Sequence, residues 1–424
     1  MFELLTQVRE LVFSRVTKDA SIVFVGNAVS SALAIVFTIV AARFLGPENW
    51  GIVAAVASFT TIIFAVGELG LGAALFRFVS AKWSSGKLGE ARTVLSALFT
   101  VRVVIGIFLV LALLLFARPL SLLIFKQEEM FLIIFAALSL FGFLLMDFQV
   151  VTSEVKQNWR QAALFITLTN ILRMVFLAVV FLAGIINIMS VLFVFAAAPI
   201  FSWFISLFWQ RVSIGFVPGW KKMIREIAAF SSWMSVNRVV SSVNSRVDVL
   251  LLLQLAGTYQ AGIYSAASSV ALGVPLIIGS FATVLAPSYA SLGEKALVSY
   301  FKRAMGISVI ISIGLILGIL IAPFIITLFG PQYASSGVVL QALLAVYIPF
   351  ALATPAVNLL IYAFQKPYII AATSLVTLPL VLLVNFYLIP KIGVFAPVFA
   401  LGMVNLLTMI VSFTAAWHAL RAQK

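Results

Sequence analysis

Seven ionisable side chains lie within stretches that are otherwise typical of membrane-spanning helices, and they are the best candidates for chemistry in this chain. They are Glu68, Arg102, Asp147, Arg173, Arg238, Arg246 and Asp248. Exposing one such charge to lipid costs about 2.5–3.5 kcal/mol on insertion scales, so seven would cost roughly 20 kcal/mol. A marginally stable fold cannot absorb that cost. We therefore expect these groups to face a hydrated cavity or each other.

Four of the seven are arginines, and this excess favours an anionic cargo. The guanidinium group stays protonated and presents a planar fork of donors to carboxylate or phosphate oxygens. Asn170 precedes Arg173 by almost one helical turn, so both side chains can line the same face of one helix. Arg238 and Arg246 are predicted to lie on one helix, about 80° apart around its axis.

The composition is that of an integral membrane protein. The 424 residues are 63% hydrophobic and only 9% charged, with a mean hydropathy of +1.20. Soluble domains carry about 25% charged residues. There is no cysteine, so a disulfide or a thiolate metal site is excluded, and His418 is the single histidine. No cleavable signal is evident, and residues 1–19 have the helical spacing of a short amphipathic segment on the membrane surface.

Runs of about 20 mostly apolar residues predict twelve spans. We expect them near 20–43, 50–75, 93–117, 130–151, 162–185, 188–209, 228–255, 261–289, 304–327, 338–363, 367–389 and 394–416. Most of the 27 lysines and arginines then fall on one side, which places both termini in the cytoplasm. The net charge of +14 therefore mostly reflects the lysines and arginines on the cytoplasmic side of the membrane, and no nucleic-acid partner is predicted.

The sequence contains an internal repeat. Residues 45–52 (LGPENWGI) align without gaps on residues 256–263 (AGTYQAGI), and the two strings precede equivalent spans. Six spans separate the copies, so both halves have the same orientation in the membrane. The predicted organisation is an amphipathic segment 1–19, a six-helix lobe 20–209, a basic cytoplasmic linker 210–227, a second six-helix lobe 228–416 and a tail 417–424.

Several short motifs resemble one transporter family. The first half contains Phe44-Leu45-Gly46-Pro47-Glu48 and Gly67-Glu68-Leu69-Gly70-Leu71-Gly72. The second half contains Ser245-Arg246-Val247-Asp248 and Ala363-Phe364-Gln365-Lys366-Pro367. With the length and the number of spans, these motifs are similar to the Wzx-type flippases of polysaccharide biosynthesis, in the multidrug/oligosaccharidyl-lipid/polysaccharide (MOP) exporter superfamily.

The resemblance implies a fold and a cargo. The fold would be an all-α polytopic membrane protein with two parallel six-helix repeats that form a V around a central cavity. The cargo would be a polyprenyl-pyrophosphate-linked oligosaccharide, moved from the cytoplasmic to the outer leaflet. Arg102, Arg173, Arg238, Arg246 and Asn170 would then line the pyrophosphate and glycan cavity. Expected partners are this lipid-linked oligosaccharide, membrane lipids and polysaccharide polymerase or transferase proteins, and a monomer is expected.

The three acids have alternative interpretations. Glu68 and Arg102 are predicted at similar depth, so they could form a structural ion pair instead of facing cargo. Asp147 is near a predicted span end and could be solvated. Asp248 is expected to contact a neighbouring span. No nucleotide-binding loop is present and no cofactor is predicted, so these acids are candidate H⁺ or Na⁺ sites for gradient coupling, with passive flipping as the alternative.

Other functions compete with the flippase. A cation-coupled multidrug antiporter of the same superfamily would favour intramembrane carboxylates, whereas here arginines outnumber acids. A membrane glycosyltransferase or glycan ligase would need catalytic groups on a sizeable outer loop, and the predicted outer loops are short. A lipid scramblase without glycan specificity is a further alternative.

Overall fold

The structure is a computed structural model that describes residues 15–126, 128–215, 220–291 and 294–421. These residues form helices and short connections, and no strand occurs among them. Most of the predicted amphipathic segment 1–19, part of the linker 210–227 and the end of the tail 417–424 lie outside the described residues. Residues 15–19 form the start of the first helix.

The described residues of the first sequence copy form seven helices. They are α1 (Arg15–Glu68), α2 (Leu71–Ser84), α3 (Leu88–Leu115), α4 (Ala117–Phe125), α5 (Met130–Val155), α6 (Trp159–Leu182) and α7 (Ile188–Ser206). α1 bends at Gly46, whose φ of 76° and ψ of 166° are not helical. The bend precedes Pro47, which lacks the N–H that a continuous helix would use.

A further seven α-helices are formed by the residues of the second copy that the structure describes. They are α8 (Trp220–Ala256), α9 (Thr258–Ala271), α10 (Gly273–Ser291), α11 (Glu294–Thr327), α12 (Ala334–Asn358), α13 (Pro367–Ile392) and α14 (Phe395–Arg421). A short 3₁₀ turn, Pro331–Tyr333, precedes α12, and a π-helical turn, Leu359–Ala363, follows it.

Within the described residues, eleven stretches are long and apolar enough to cross a membrane. The first of them, Ile22–Glu68, has 47 residues and contains the bend at Gly46, so it accounts for two crossings. The total of twelve agrees with the sequence prediction. α6 and α7 are separate helices as predicted, and their N-terminal donors are capped by Asn158, which accepts from Gln161 N, and by Asn187, which accepts from Ser190 N.

The internal repeat is visible in the backbone. Three pairs of equivalent residues have positive φ at the same kind of helix boundary. They are Gly46 (76°) with Gly257 (90°), Gln157 (58°) with Gln365 (55°), and Gly184 (69°) with Gly393 (55°). The helices that pack most extensively are also equivalent, since α5 is central among α3, α6 and α7, and α12 is central among α9, α11 and α14. The predicted parallel two-repeat layout is consistent with these matches.

Packing divides the chain into two compact units. Unit 1 comprises Met1–Phe37 and Ala55–Arg246, and unit 2 comprises Thr38–Ala54 and Val247–Lys424. The core of unit 1 lies where α2, α3 and α5 meet, around Leu75, Leu98 and Phe148. A core cluster of unit 2 lies around Tyr289, Leu359 and Ala416. This division by packing differs from the division by sequence duplication, because residues 38–54 of the first copy belong to unit 2.

Equivalent glycines of the two copies cross closely within unit 2. A Cβ atom on Gly51 would lie 2.0 Å from the carbonyl oxygen of Thr258, and one on Gly262 would lie 1.8 Å from the carbonyl oxygen of Pro47. Gly51 and Gly262 occupy matching positions of the repeat, as do Pro47 and Thr258. The contact is therefore reciprocal, and it requires glycine because the helix backbones touch.

Candidate functional site

Glu68 lies at a helix break that the sequence reading did not predict. α1 ends at Glu68, and the next two residues, Leu69 (φ 48°) and Gly70 (φ 67°), have left-handed backbone conformations. The Glu68 carboxylate accepts hydrogen bonds from Gly70 N at 3.0 Å and from Gly72 N at 2.6 Å. Its negative charge thus sits at the N-terminus of α2, where the helix dipole favours an anion. The glycines on either side of Glu68 were the only available signal for this break.

Arg102 on α3 lies between two carboxylates. Its side chain is 0% exposed, and its NH1 atom is 2.8 Å from Asp147 Oδ2 on α5 and donates to the Leu144 carbonyl at 3.2 Å. Its NH2 atom is 3.6 Å from Glu68 Oε1, and Glu68 is 2% exposed. The Glu68–Arg102 ion pair, which the sequence left as an alternative to a cargo-facing role, is present. The contact of Arg102 with Asp147 was not predicted.

Arg238 adds a second cation to Glu68. Its Nε atom is 3.4 Å from Glu68 Oε2, and its guanidinium carbon is 5.8 Å from the centre of the Phe64 ring. The side chain is 48% exposed, so a large part of the guanidinium surface remains accessible. Asp147, Arg102, Glu68 and Arg238 thus form a chain of alternating charges with no net charge, which we call the charge quartet.

α8 is held against the helix break next to the charge quartet. A Cβ atom on Gly70 would lie 2.8 Å from the carbonyl oxygen of Ser231 on α8, so the backbone of α8 approaches the break directly. Gly70 also has positive φ, and both constraints favour glycine there. The placement of Arg238 on α8 beside Glu68 therefore depends on this close crossing.

Arg173 on α6 has a different environment. Its NH1 atom donates to Asn170 Oδ1 at 3.1 Å, and Asn170 Nδ2 in turn donates to Ser30 Oγ at 2.7 Å. The guanidinium carbon lies 5.3 Å from the centre of the Phe143 ring and 4.4 Å from that of Phe195. The buried Nε atom has no hydrogen-bond partner. Within the described part of the chain, no carboxylate pairs with this cation.

Arg246 and Asp248 lie further along α8. The Asp248 carboxylate accepts a hydrogen bond from the buried phenol of Tyr264 on α9, and it also accepts from Val249 N at 2.8 Å. The predicted contact of Asp248 with a neighbouring span is therefore present. Arg246 is half-buried and makes no ion pair with the residues that the structure describes.

The structure brings four of the seven predicted residues together, and two of the arginines have no carboxylate partner in the part of the chain that the structure describes. The sequence reading missed Tyr264, Phe143, Phe195 and Ser30, because an aromatic or serine residue in an apolar span carries no distinguishing pattern. The roles of the arginines and Asn170 in binding cargo, and of the acids in coupling, stay predictions.

The fold is shared with solved transporters. The inward-facing conformation of a multidrug resistance MATE family transporter of the MOP superfamily matches with a TM-score of 0.74 at 15% identity, over 93% of this chain and 95% of that chain. Lipid II flippase MurJ in an inward closed conformation matches with 0.71 at 14% identity, over 92% and 86%. A MOP superfamily transporter from Pyrococcus furiosus, described as having a binding pocket of reverse polarity, matches with 0.58 at 14% identity, over 95% and 94%.

The twelve-span helical layout and these matches define an integral membrane protein with the MOP transporter fold. The family model of polysaccharide biosynthesis proteins matches residues 16–293, which is more than half of the sequence. The chain therefore belongs to the polysaccharide biosynthesis protein family, and the resemblance found in the sequence motifs is confirmed. No curated protein matches the sequence.

Proposed function

We propose that this protein is a flippase that moves a polyprenyl-pyrophosphate-linked oligosaccharide from the cytoplasmic to the outer leaflet by alternating access. The observation that carries the proposal is Arg173, a cation predicted to lie within a span, with a buried, unsatisfied Nε donor and no carboxylate partner among the described residues. An uncompensated cation in such a place is expected to serve a ligand of opposite charge. Membership of the polysaccharide biosynthesis family supports a glycan-bearing anion.

The residues divide into two roles under this proposal. Arg173, Arg238 and Arg246 would contact the pyrophosphate, with Asn170 orienting Arg173 through its 3.1 Å hydrogen bond. Arg102 would act by positioning, because its fully buried guanidinium holds Glu68 and Asp147 in place. The isoprenoid tail would stay in the bilayer, and the sugars would be held by hydrogen bonds and aromatic faces.

A multidrug antiporter is the second candidate, since one solved structure of this fold is a multidrug resistance transporter. An organic cation would need an accessible carboxylate. Glu68 and Asp147 are each paired with arginine, and Asp248 accepts a hydrogen bond from Tyr264. These pairings favour the anionic cargo over the cationic one.

We further propose that the charge quartet couples transport to an ion gradient. Protonation of Glu68 would remove the negative charge that faces Arg102 on α3 and Arg238 on α8. Asp147 on α5 would then carry the remaining negative charge of the quartet. Arg238 would then be released from Glu68 and become free for the cargo phosphate. H⁺ is the favoured ion because both Glu68 oxygens already accept hydrogen bonds from Gly70 N and Gly72 N, which leaves no cluster of free oxygen ligands for Na⁺ among the described atoms of Glu68.

The remaining assignments follow from this proposal. The protein would reside in the cytoplasmic membrane with both termini in the cytoplasm, act as a monomer and supply polysaccharide polymerases or transferases with substrate. It would catalyse no covalent step, because the work is movement of the lipid-linked glycan between leaflets.

Transport in proteoliposomes tests the proposal. Purified protein is reconstituted with a polyprenyl-pyrophosphate oligosaccharide, and outward exposure of the glycan is followed by lectin or glycosidase access. We expect Arg173→Gln to lower the exposure rate about tenfold or more, as for loss of a charge-assisted contact. Arg173→Lys should retain part of the rate, and Arg118→Gln, which alters an exposed ion pair, should have no effect.

A fluorescent organic cation is assayed under the same imposed gradients. Movement of the cation without glycan exposure would overturn the flippase proposal. Glycan exposure that responds equally to H⁺ and Na⁺ gradients, or is unchanged by Glu68→Gln, would contradict coupling through the quartet while leaving the cargo assignment standing.

A further inference from the structure

An open apolar groove runs along unit 1 between α1 and α6, away from the charge quartet. It has a volume of about 810 Å³, within the range of 300–1,000 Å³ that is usual for ligand sites. Residues that line it include Val25, Val29, Leu164, Ile171, Trp209 and Arg160.

The floor of the groove is a close helix crossing. A Cβ atom on Gly26 of α1 would lie 2.6 Å from the Cβ atom of Ala163 on α6, so the two helices touch there and no side chain fills the space above. Thr167 also lines the groove, but its hydroxyl donates to the Ala163 carbonyl at 2.8 Å and offers no free donor. The walls are therefore apolar along most of their length.

Among the described residues that line the groove, Arg160 is the one that carries a charge. It lies in the first turn of α6, is exposed and makes no ion pair within the described part of the chain. From Arg160 to Ile171 the lining of α6 extends over about 17 Å at 1.5 Å per residue. This is roughly half of the 30 Å hydrocarbon core of a bilayer. The predicted topology places Arg160 at the cytoplasmic end.

We propose that this groove binds the isoprenoid phosphate part of the lipid substrate from the cytoplasmic leaflet, with the phosphate at Arg160 and the chain along α6. A single cation at one end of a single apolar channel fits a lipid with one anionic head and one chain. A phospholipid would have to divide two chains over the same channel. The inference rests on the proposed function, because it supplies the docking position that precedes entry of the pyrophosphate.

Asn170 follows the deep end of the groove on α6 and is fixed to Ser30 of α1, the helix that forms the opposite wall. Arg173 lies on the other side of α6, where its guanidinium packs against Phe143 and Phe195. The groove is therefore a docking position that is separate from the proposed pyrophosphate site.

Photo-crosslinking of the full-length protein in phosphatidylcholine nanodiscs tests the proposal. The probe is a polyprenyl phosphate with a diazirine on its chain and without a glycan, and cross-linked peptides are identified by mass spectrometry. We expect labelling of α1 near Val25 and of α6 near Leu164, with competition by unlabelled polyprenyl phosphate but not by equimolar phosphatidylglycerol.

Two pairs of variants, each a test with its control, separate head and tail contacts. Leu164→Trp should fill the groove and abolish specific labelling, whereas Val179→Trp, at an exposed position of α6 outside the groove, should not. Arg160→Gln should weaken competition by polyprenyl phosphate about tenfold, and Arg160→Lys should restore most of it.

Labelling that is spread over all lipid-facing helices, or that survives Leu164→Trp, would overturn the proposal. Equal competition by phosphatidylglycerol would show a site for ordinary anionic lipid instead. The assay requires no transport, so its outcome is separate from the flippase test. Groove labelling in a protein that exposes no glycan would count against the proposed function alone, and glycan exposure without groove labelling would count against the groove alone.

Discussion

Arg102 connects three helices through its charge, since it contacts Asp147 on α5 and Glu68 at the end of α1 from a buried position on α3. Replacement by Gln would leave the partly buried Asp147 without a cation and the buried Glu68 with Arg238 alone. Removal of one partner from a buried ion pair costs about 3–5 kcal/mol. We expect Arg102→Gln to lower the thermal unfolding midpoint strongly in detergent, measured by the intrinsic fluorescence of the purified protein.

The matched control is Arg118→Gln, because Arg118 and Glu128 form an ion pair with 66% and 63% exposed side chains. Such exposed pairs contribute about 0–1 kcal/mol. A variant in which Glu68→Gln and Asp147→Asn accompany Arg102→Gln should recover much of the lost stability. Equal midpoints for Arg102→Gln and Arg118→Gln would contradict the importance of the quartet for stability.

The sequence singled out the charged residues within the predicted spans but not all of their neighbours. A charged side chain in an apolar run stands out because burying it is costly, and all seven were found in that way. The contact of Arg102 with Asp147 could not be read from the sequence, since it depends on how α3 packs against α5. The contacts of Phe143 and Phe195 with Arg173 also depend on helix packing. They could not be predicted from the sequence, because phenylalanine is common throughout these spans.

At the level of helices, the reciprocal crossing of Gly51 and Gly262 gives a specific prediction about stability. Gly262→Ala places a Cβ atom 1.8 Å from the Pro47 carbonyl oxygen, so the helices must separate. Such overpacking usually costs about 1–3 kcal/mol, and here the obstacle is backbone on both sides. We expect a lower unfolding midpoint and reduced glycan exposure for Gly262→Ala.

Gly314→Ala is the control, because a Cβ atom at Gly314 in the interior of α11 would meet nothing within 4 Å. Alanine in place of glycine in a helix interior is favourable by about 0.5–1 kcal/mol. That variant should therefore be as stable as the original or slightly more stable. A Gly262→Ala protein with an unchanged midpoint would mean that the crossing is not close in the membrane.

Helix boundaries were predictable where hydropathy changes and were missed where it does not. The predicted spans 130–151 and 367–389 fall inside α5 and α13. The break at Leu69 and Gly70 and the separation of α9 from α10 occur inside apolar sequence. The hydropathy pattern does not predict such breaks, because the residues on both sides of each break are equally apolar.

For the whole molecule, the topology can be tested without background labelling because the chain has no cysteine. Ser85 lies in the turn between α2 and α3, and Glu128 lies between α4 and α5, so the span predicted for residues 93–117 separates them. In intact cells, we expect a membrane-impermeant maleimide to label Glu128→Cys and to label Ser85→Cys only after permeabilisation. The opposite pattern would reverse the predicted orientation.

The two copies have kept the same helix scaffold but differ in charge. α5 carries Asp147, whereas the described helix α12 in the equivalent position contains no acidic or basic residue. Glu68 aligns with Gly279 at the spacing that matches Gly51 with Gly262. Three members of the charge quartet, Glu68, Arg102 and Asp147, thus lie in the first copy, and the two acids have no acidic counterpart at the equivalent positions of the second copy, so the repeat motifs alone could not locate the quartet.

The assignment of residues 38–54 to unit 2 has a consequence for synthesis. The ribosome releases this segment long before Val247–Lys424, so its final packing partners, including Thr258 and Gly262, do not yet exist when it enters the bilayer. Residues 38–54 of the nascent first copy therefore stay incompletely packed, with small residues exposed to lipid or to a membrane chaperone, until the second copy has been synthesised and inserted. Completion of the fold is a late event, and neither half of the chain is an autonomous folding unit.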